Sequence, residues 1–313
     1  MTTTTTRPLR LGTRGSALAM AQSGHVAARV TDETGRKVEL VEITTYGDVS
    51  REALTQIGGT GVFVNALREA LLAGEIDFAV HSYKDLPTAP AEGLVLAAVP
   101  VREDPRDVLV AAGGRTLADL GPGARIGTGA PRRIAQLNAL GRGFECVPIR
   151  GNVDTRIRKV TDGQLDAVVL ARAGLARLGR LDAVTEVLDP ILVLPAPAQG
   201  ALALECRSGD TSVTELLGVL DDPESRAAVA AERSLLAALE AGCSAPVAAW
   251  AVLAESESGE PEIYLRGSVT ALDGSDTARL SASGPLHHAE AIGRRLAAEL
   301  LDSGAALLMG SSA

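Results

Sequence analysis

The sequence predicts an α/β fold followed by a small α+β module. Over the first 200 residues, short apolar runs typical of strands alternate with segments of helical periodicity. The segment Pro195-Ala-Pro197 then marks a boundary, and a long helix with three strand-like runs follows it. A chain of 313 residues is long enough for two or three domains of this kind.

The strands and helices follow in chain order from this alternation. The first part is predicted to contain strand 9–11, a helix capped by Ser16, strand 38–43, helix 62–72, and strands 76–80 and 94–99. The pattern restarts with strand 125–127, a helix opened by Pro131, strand 146–149, helix 153–160 and strand 165–170. The last part contains strand 201–205, helix 224–239, strands 247–251, 262–269 and 279–283, and helix 289–301. Strand–helix alternation indicates parallel sheets, with functional groups on loops at the carboxyl ends of the strands.

Composition and charge exclude several classes of protein. Hydrophobic residues make up 46% of the chain and charged residues 22%, as in folded globular proteins. The sequence has neither an apolar run of roughly 20 residues, which a bilayer span needs, nor the features of a signal peptide at its N-terminus. The cysteines, Cys146, Cys206 and Cys243, are too sparse for a disulfide framework or a zinc site. We therefore expect a cytoplasmic protein without a metal site, and the net charge of −9 argues against general nucleic-acid binding.

One segment is basic against the trend of the chain. From Arg125 to Lys159, eight basic residues face two acidic ones, so that this segment carries a charge of +6. It contains two strand–loop–helix junctions that suit an anion, Gly127-Thr-Gly-Ala-Pro-Arg132-Arg133 and Arg150-Gly-Asn-Val-Asp-Thr-Arg156, with Asn152 as a helix cap. Arginine binds carboxylates and phosphates through paired hydrogen bonds, so the segment predicts an anion site. Solvated surface arginines are the alternative interpretation.

Two further segments are candidates for chemistry. His81-Ser-Tyr-Lys-Asp85 directly follows predicted strand 76–80, and Asp85 there could stabilise a developing cation or move protons. A solvated polar turn is the alternative. Cys243 lies in a loop after the long helix, between Gly242 and Pro246, and is either a nucleophile or an inert buried thiol.

Taken together, these segments resemble the porphobilinogen deaminase (hydroxymethylbilane synthase) family from about residue 9 to residue 301. The motifs that carry the resemblance occur in the family's order. They are Gly12-Thr-Arg14-Gly-Ser16, Thr45-Tyr-Gly-Asp48, Gly61-Val-Phe63-Val, His81-Ser-Tyr-Lys-Asp85, Arg102-Glu-Asp-Pro-Arg-Asp107, the two basic junctions, Pro197-Ala-Gln-Gly-Ala201, Glu232-Arg233 and Gly242-Cys243.

The resemblance implies a transferase that polymerises four porphobilinogen molecules with loss of ammonia. Hydrolysis then releases 1-hydroxymethylbilane, in tetrapyrrole (haem) biosynthesis. It also implies a dipyrromethane cofactor, assembled from substrate and bound to Cys243 through a thioether, and a monomer with no metal, nucleic-acid or membrane partner. A thioether needs a nucleophilic sulfur, so the resemblance favours the reactive interpretation of Cys243.

The same resemblance implies the site residues. Asp85 matches the catalytic aspartate, which holds pyrrole N–H groups and stabilises the cationic azafulvene formed when ammonia leaves. Phe63 matches an aromatic beside the pyrroles, and Gln22 and Gln199 match positions that line a cleft between the first two domains. The implied cofactor-binding residues are Ser82, Lys84, Asp85, Thr128, Arg132, Arg133, Arg150, Arg156 and Cys243. The implied substrate-binding residues are Arg14, Ser16, Gln22, Phe63, Arg150, Arg156 and Gln199.

The implied architecture is two α/β domains that resemble type II periplasmic binding proteins and a small C-terminal α+β domain. We expect the first at 1–100 with 200–220, the second at 101–199, and the third, which carries the cofactor cysteine, at 221–313. The sequence departs from the family pattern at several positions. Tyr46 stands where the family often has arginine, and Thr60 where it often has lysine. Gly129 and Ala130 replace two frequent serines, and Pro131 replaces a frequent leucine. Arg172 stands at a position that is commonly small or apolar, and Ala198 at one that is often glycine.

Two other functions fit parts of the sequence. A solute-binding protein would share the two-lobed fold and the arginines, but it would need neither Cys243 nor a third domain. A nucleic-acid binder would place the basic segment on phosphates, although scarce aromatics and the acidic total argue against it. Binding assays at varied salt would separate the nucleic-acid binder from the enzyme.

Overall fold

The computed structural model describes residues 7–43, 62–241, 245–255 and 259–310, without the side chains of residues 62 and 63. The chain divides into two compact units, Met1–Arg102 with Ala201–Arg226, and Glu103–Gly200 with Ala227–Ala313.

The described strands are β1 Leu9–Thr13, β2 Val38–Glu42, β3 Phe78–Ser82, β4 Leu94–Ala98, β5 Asp107–Ala111, β6 Arg125–Gly127, β7 Glu145–Val147, β8 Ala167–Ala171, β9 Glu186–Val187, β10 Leu202–Arg207, β11 Val247–Glu255, β12 Pro261–Thr270 and β13 Thr277–Pro285. The described α-helices are α1 Ala17–Thr34, α2 Val62–Leu72, α3 Pro131–Ala139, α4 Val153–Thr161, α5 Arg172–Arg177, α6 Thr211–Gly218, α7 Pro223–Ala238, α8 Ala289–Asp302 and α9 Ala305–Leu308.

The first unit is a sheet covered by helices on both faces. Its described strands have the order β2-β1-β3-β10-β4. On one face, Val26 and Val30 of α1 pack in a common core with Leu11 and Phe78. On the other face, α2 packs against Ala79 of β3. Burial on both faces explains why β3 begins with the three apolar residues Phe78-Ala-Val80.

The second unit contains two sheets. Within its described residues, one sheet has the order β7-β6-β8-β5-β9 and the other is the antiparallel meander β11-β12-β13. Helices α7 and α8 cover one face of the meander, where Leu235 and Leu296 share a core with Leu265. The helices approach closely because α8 carries Gly293, where a Cβ atom would lie 2.2 Å from the carbonyl oxygen of Ala231.

These sheets confirm the predicted fold class of two α/β sheet domains with a small C-terminal α+β domain. The predicted helix caps are also confirmed, because the side chains of Ser16 and Asn152 accept hydrogen bonds from the amides of Ala19 and Thr155, and Pro131 opens α3. Among the described residues, no helix is both long and apolar enough to span a bilayer.

The expectation of parallel sheets is wrong for two strands. β10 runs antiparallel to β3 and β4, and β5 runs antiparallel to β8 and β9. Each of these strands follows a passage of the chain from one unit into the other. Its direction is therefore not fixed by the right-handed βαβ crossover on which the expectation rested.

Some element boundaries also differ from the prediction. β5 and the helix α5 were not predicted, and β3 begins at Phe78, two residues after the predicted start. β7 ends at Val147, since the following Pro148 has no amide hydrogen for the ladder.

A buried turn explains one departure from the family pattern. Ala198 has φ +59°, in the left-handed region that favours glycine, and it is fully buried. Its amide donates to Oε2 of Glu232 at 2.6 Å, which fixes the turn against α7. A glycine at this position, as the family often has, would relieve backbone strain.

We expect Ala198→Gly to destabilise the protein less than Ala135→Gly. Both alanines are fully buried and lose one methyl group, but Ala135 has helical backbone in α3. Ala135→Gly lowers the helix propensity of α3, whereas Ala198→Gly relieves backbone strain. The two losses in the free energy of unfolding should therefore differ by about 1–2 kcal/mol. Urea unfolding of both variants measures the difference, and equal costs would contradict the strain at Ala198.

Candidate active site

In the first unit, the candidate residues share one edge of the sheet. β1 and β3 pair in parallel, so their carboxyl ends lie side by side. Arg14 and Ser16 follow β1, whereas Ser82 ends β3 and the turn Tyr83–Asp85 follows it. The structure therefore brings the predicted hydroxyl, ammonium, guanidinium and carboxylate groups of this unit to one edge.

The strand end beneath Asp85 is fixed on both faces of the sheet. On the α1 face, the amide nitrogen Nε2 of buried Gln22 donates to Oγ of Ser82 at 3.0 Å. On the α2 face, the imidazole of His81 is buried. The amide of Tyr83 donates to the carbonyl of Ala201 at 3.0 Å. Asp85 itself is exposed, so a rigid turn presents its carboxylate to solvent.

A buried ionic cluster supports this strand end, and the sequence analysis did not predict it. Glu205 of β10 accepts two hydrogen bonds from the guanidinium of Arg68, at 2.7 and 3.0 Å. Its Oε2 also lies 3.2 Å from Nε2 of His81. Burial alone would raise the pKa of Glu205, but the contacts with His81 and Arg68 lower that pKa to about 2. The sequence offered one signal for this cluster, because Glu205 is a carboxylate in the otherwise apolar predicted strand 201–205.

In the second unit, a buried carboxylate organises the first basic junction. Asp107 accepts hydrogen bonds from Arg132 at 2.8 Å, from Arg133 at 2.7 Å and from Nε2 of Gln199 at 2.7 Å. All four side chains are buried. Burial alone would raise the pKa of Asp107, but the two guanidinium groups hold that pKa well below its usual range. Asp107 was quoted only within a family motif and was not predicted as a site residue.

This cluster limits what its members offer to a ligand. Arg132 and Gln199 donate to Asp107 and to the carbonyl oxygens of Leu194 and Pro105, respectively. Arg133 donates to Asp107 and to the carbonyl of Val169. Among the described residues, however, its buried Nε atom has no hydrogen-bond partner. Arg133 therefore retains a donor that an anion would satisfy.

The second basic junction lies in the electrostatic field of the first. Arg156 is partly buried at the start of α4, and its Nε donates to the carbonyl of Gly151 at 2.8 Å. Burial lowers the pKa of Arg156, and the positive charge of Arg133 lowers it further. An anion here would relieve both effects. Thr128 is buried in the first junction, whereas Arg150 is exposed before the second.

Two departures from the family pattern have local causes. A Cβ atom on Gly129 would lie 2.8 Å from the carbonyl oxygen of Ile149, so this backbone requires glycine where relatives often have serine. The charge of Arg172 is neutralised by Glu103 at 2.9 Å and by Asp104 at 3.5 Å.

Several predicted features lie outside the described residues. These are Cys243, the side chain of Phe63, Tyr46 and Thr60. In the parts of the chain that the structure describes, no group of three or more His, Cys, Asp or Glu side chains is arranged to hold a metal ion.

Comparison with known proteins identifies related sequences over nearly the whole chain. Residues 9–215 match the family model described as porphobilinogen deaminase, dipyromethane cofactor binding domain, and residues 226–302 match the model of the porphobilinogen deaminase C-terminal domain. Porphobilinogen deaminase 1 of Streptomyces coelicolor is 64% identical, covering 99% of both chains. The porphobilinogen deaminase of Mycobacterium tuberculosis is 56% identical, covering 96% of this chain and 98% of its own. Among solved structures, the methionine binding protein MetQ matches 68% of this chain and 89% of its own, with 13% identity and a TM-score of 0.44.

We expect Glu205→Gln to destabilise the protein at neutral pH by about 3 kcal/mol, because the guanidinium of Arg68 loses its buried counter-charge. The loss should depend on pH. The folded-state pKa of Glu205, about 2, is below its usual value of 4.5, so the carboxylate contributes fully above pH 4.5 and progressively less towards pH 2. Urea unfolding at several pH values should show the wild type and the variant converging in acid.

The matched control is Glu75→Gln, which changes an exposed carboxylate of the same unit. Its difference from the wild type should be small at every pH. A Glu205→Gln difference that stays constant below pH 4.5 would contradict the assigned ionic role.

Proposed function

The chain belongs to the porphobilinogen deaminase family, and from that premise we propose a role for each residue of its candidate site. As a member of this family, it polymerises four porphobilinogen molecules with loss of ammonia and releases 1-hydroxymethylbilane after hydrolysis, in tetrapyrrole biosynthesis. Its cofactor is dipyrromethane, which, when bound, supplies the pyrrole carbon on which the chain grows.

The catalytic residue that we propose is Asp85. The observation that carries this proposal is an exposed carboxylate, at the carboxyl edge of β3, on a turn whose base is fixed on both sheet faces. A carboxylate held in this way can accept hydrogen bonds from pyrrole N–H groups. It can also stabilise the cation that forms when ammonia leaves the substrate, without moving first.

The neighbouring groups of the first unit have supporting roles in this proposal. Ser82 and Lys84 contact the cofactor, and Arg14 and Ser16 bind substrate from the end of β1. Gln22 is proposed as a substrate contact, and its hydrogen bond to Ser82 supports a role in holding that hydroxyl in place. Phe63 is proposed as an aromatic contact of the pyrrole rings.

The basic junctions of the second unit are proposed to hold the carboxylates of the cofactor and the growing chain. The unpartnered Nε of Arg133 and the charge of Arg156 fit a ligand that carries several carboxylates. Arg150 and Thr128 are proposed to complete this contact. Arg132 and Gln199 stay proposed ligands, although their hydrogen bonds to Asp107 support chiefly a role in orienting Arg133.

We propose Cys243 as the attachment point of the cofactor. Its sulfur would form the C–S bond of a thioether, as the family resemblance implies. The proposed domains are 1–100 with 200–220, 101–199, and 221–313, which holds Cys243, and the separate sheets in these regions support them. We further propose a cytoplasmic monomer that needs no metal, nucleic acid or membrane.

Asp85→Asn should lower kcat by about 10²–10⁴-fold, because it removes the negative charge but keeps the shape of the side chain. Glu92→Gln is the matched control, since Glu92 is an exposed carboxylate of the same unit beyond the turn. The assay follows porphobilinogen consumption, with thermal unfolding to verify the fold. Near-normal turnover of Asp85→Asn would refute the catalytic role.

Cys243→Ser should prevent covalent attachment of the cofactor. Intact-protein mass spectrometry should show the mass of two linked pyrroles on the wild type, mapped to the peptide that contains Cys243. Cys146→Ser, a control at the half-buried thiol of β7, should keep that mass. A stable adduct on the Cys243→Ser variant would show that another residue binds the cofactor.

A further inference from the structure

The face of the meander sheet opposite α7 and α8 carries an unusual set of polar side chains. In the antiparallel register, Trp250 lies opposite Arg266, and Ser268 lies opposite Arg279. Residues opposite each other, or two apart on a strand, point to the same face. Trp250, Arg266, Ser268 and Arg279 therefore form one continuous group on this face.

Arg266 is a half-buried cation, and the part of the chain that the structure describes places no anionic partner beside it. Its guanidinium lies over the indole ring of Trp250, 4.8 Å from the ring centre. Among the described residues, no carboxylate is within ion-pair distance of it, and its buried Nε atom has no hydrogen-bond acceptor. Since buried polar groups are almost always hydrogen-bonded, this orphan donor indicates a missing acceptor.

Arg279 brings a second positive charge to the same face. Its guanidinium donates to the carbonyl of Ile191 and approaches Oε1 of Gln136 at 3.5 Å. Both acceptors are neutral, so neither balances its charge. Burial lowers the pKa of Arg279, and the charge of Arg266 lowers it further, which supports their proximity.

Ser268 provides an independent indication of a ligand. Its side chain is 1% exposed, and its Oγ has no hydrogen-bond partner among the described residues. It lies two residues from Arg266 on β12 and directly opposite Arg279 on β13. A buried hydroxyl between two arginines, neither of which has a described carboxylate beside it, is suited to donate to an anion.

We infer that Arg266, Ser268 and Arg279 form a binding site for a phosphate group, either inorganic phosphate or a small phosphomonoester. Two guanidinium groups supply charge-assisted hydrogen bonds, and the hydroxyl supplies another donor from the sheet surface. A tetrahedral dianion can accept from all three donors and balance both charges. This site does not depend on the roles proposed for Asp85 or Cys243.

The chain offers a local probe of this site. Trp250 is its single tryptophan, and Arg266 lies directly over the indole ring. Titration of the holoenzyme with inorganic phosphate, at constant ionic strength set by sodium chloride, should give a saturable change in tryptophan fluorescence. A response that does not saturate, or that chloride reproduces, would overturn the proposal.

Variants test the two donors that do not touch the tryptophan. Arg279→Gln should weaken phosphate binding by about tenfold or more, since it removes a charged donor. Ser268→Ala, which removes only a hydroxyl, should weaken binding less and keep the fold. Arg294→Gln, at an exposed arginine of α8, should bind as the wild type does. Unchanged affinity in both Arg279→Gln and Ser268→Ala would overturn the site.

Three further measurements locate the bound phosphate and identify its chemical form. The Arg156→Gln variant should keep the fluorescence response to phosphate. If this variant loses the response, phosphate binds at the basic junctions instead. Glycerol phosphate should also bind: tighter binding than phosphate identifies a phosphomonoester ligand, and equal or weaker binding identifies free phosphate. A crystal soaked in phosphate that holds only water at Ser268 would overturn the proposal.

Discussion

The second unit depends on the buried charge of Asp107. A carboxylate removed from water is costly unless nearby cations and hydrogen-bond donors compensate for it. Here Arg132 and Arg133 of α3 supply the cations, and Gln199 supplies a further donor from the turn before β10. One carboxylate thus ties the start of β5, the first turn of α3 and the 196–200 turn together. It also determines which donor of Arg133 is left for a ligand.

The first unit uses the same physical device at a different place. Glu205 of β10 is buried, and it binds Arg68 of α2 and contacts His81 at the end of β3. Each α/β sheet therefore contains a compensated carboxylate near the edge where the candidate site residues lie. Breaking either cluster costs far more free energy than breaking a surface ion pair. The edge of each sheet is therefore rigid. In the role proposed for it, Asp85 would act on charge that develops nearby without first reorganising.

The C-terminal meander shows the opposite situation. Arg266 is half-buried and Arg279 is exposed, and their contacts among the described residues are neutral. Within one protein, then, Arg68, Arg132 and Arg133 are paired with buried carboxylates, whereas Arg266 and Arg279 have no carboxylate beside them among the described residues. Unpartnered buried atoms occur in both settings: the Nε of Arg133 beside Asp107, and the Nε of Arg266 and the Oγ of Ser268 on the meander.

The sequence by itself determined the fold class, the helix caps and the position of the candidate groups at strand ends. It could do so because hydrophobic periodicity, capping residues and strand–loop–helix junctions are local properties of the chain. The sequence did not predict the antiparallel directions of β5 and β10, because these directions depend on where the chain passes from one unit to the other. Only the tertiary structure showed that Asp107 and Glu205 compensate distant arginines, that Ala198 has a left-handed backbone, and that Arg266, Ser268 and Arg279 share a face. Each of these depends on contacts between residues far apart in sequence, which no local pattern records.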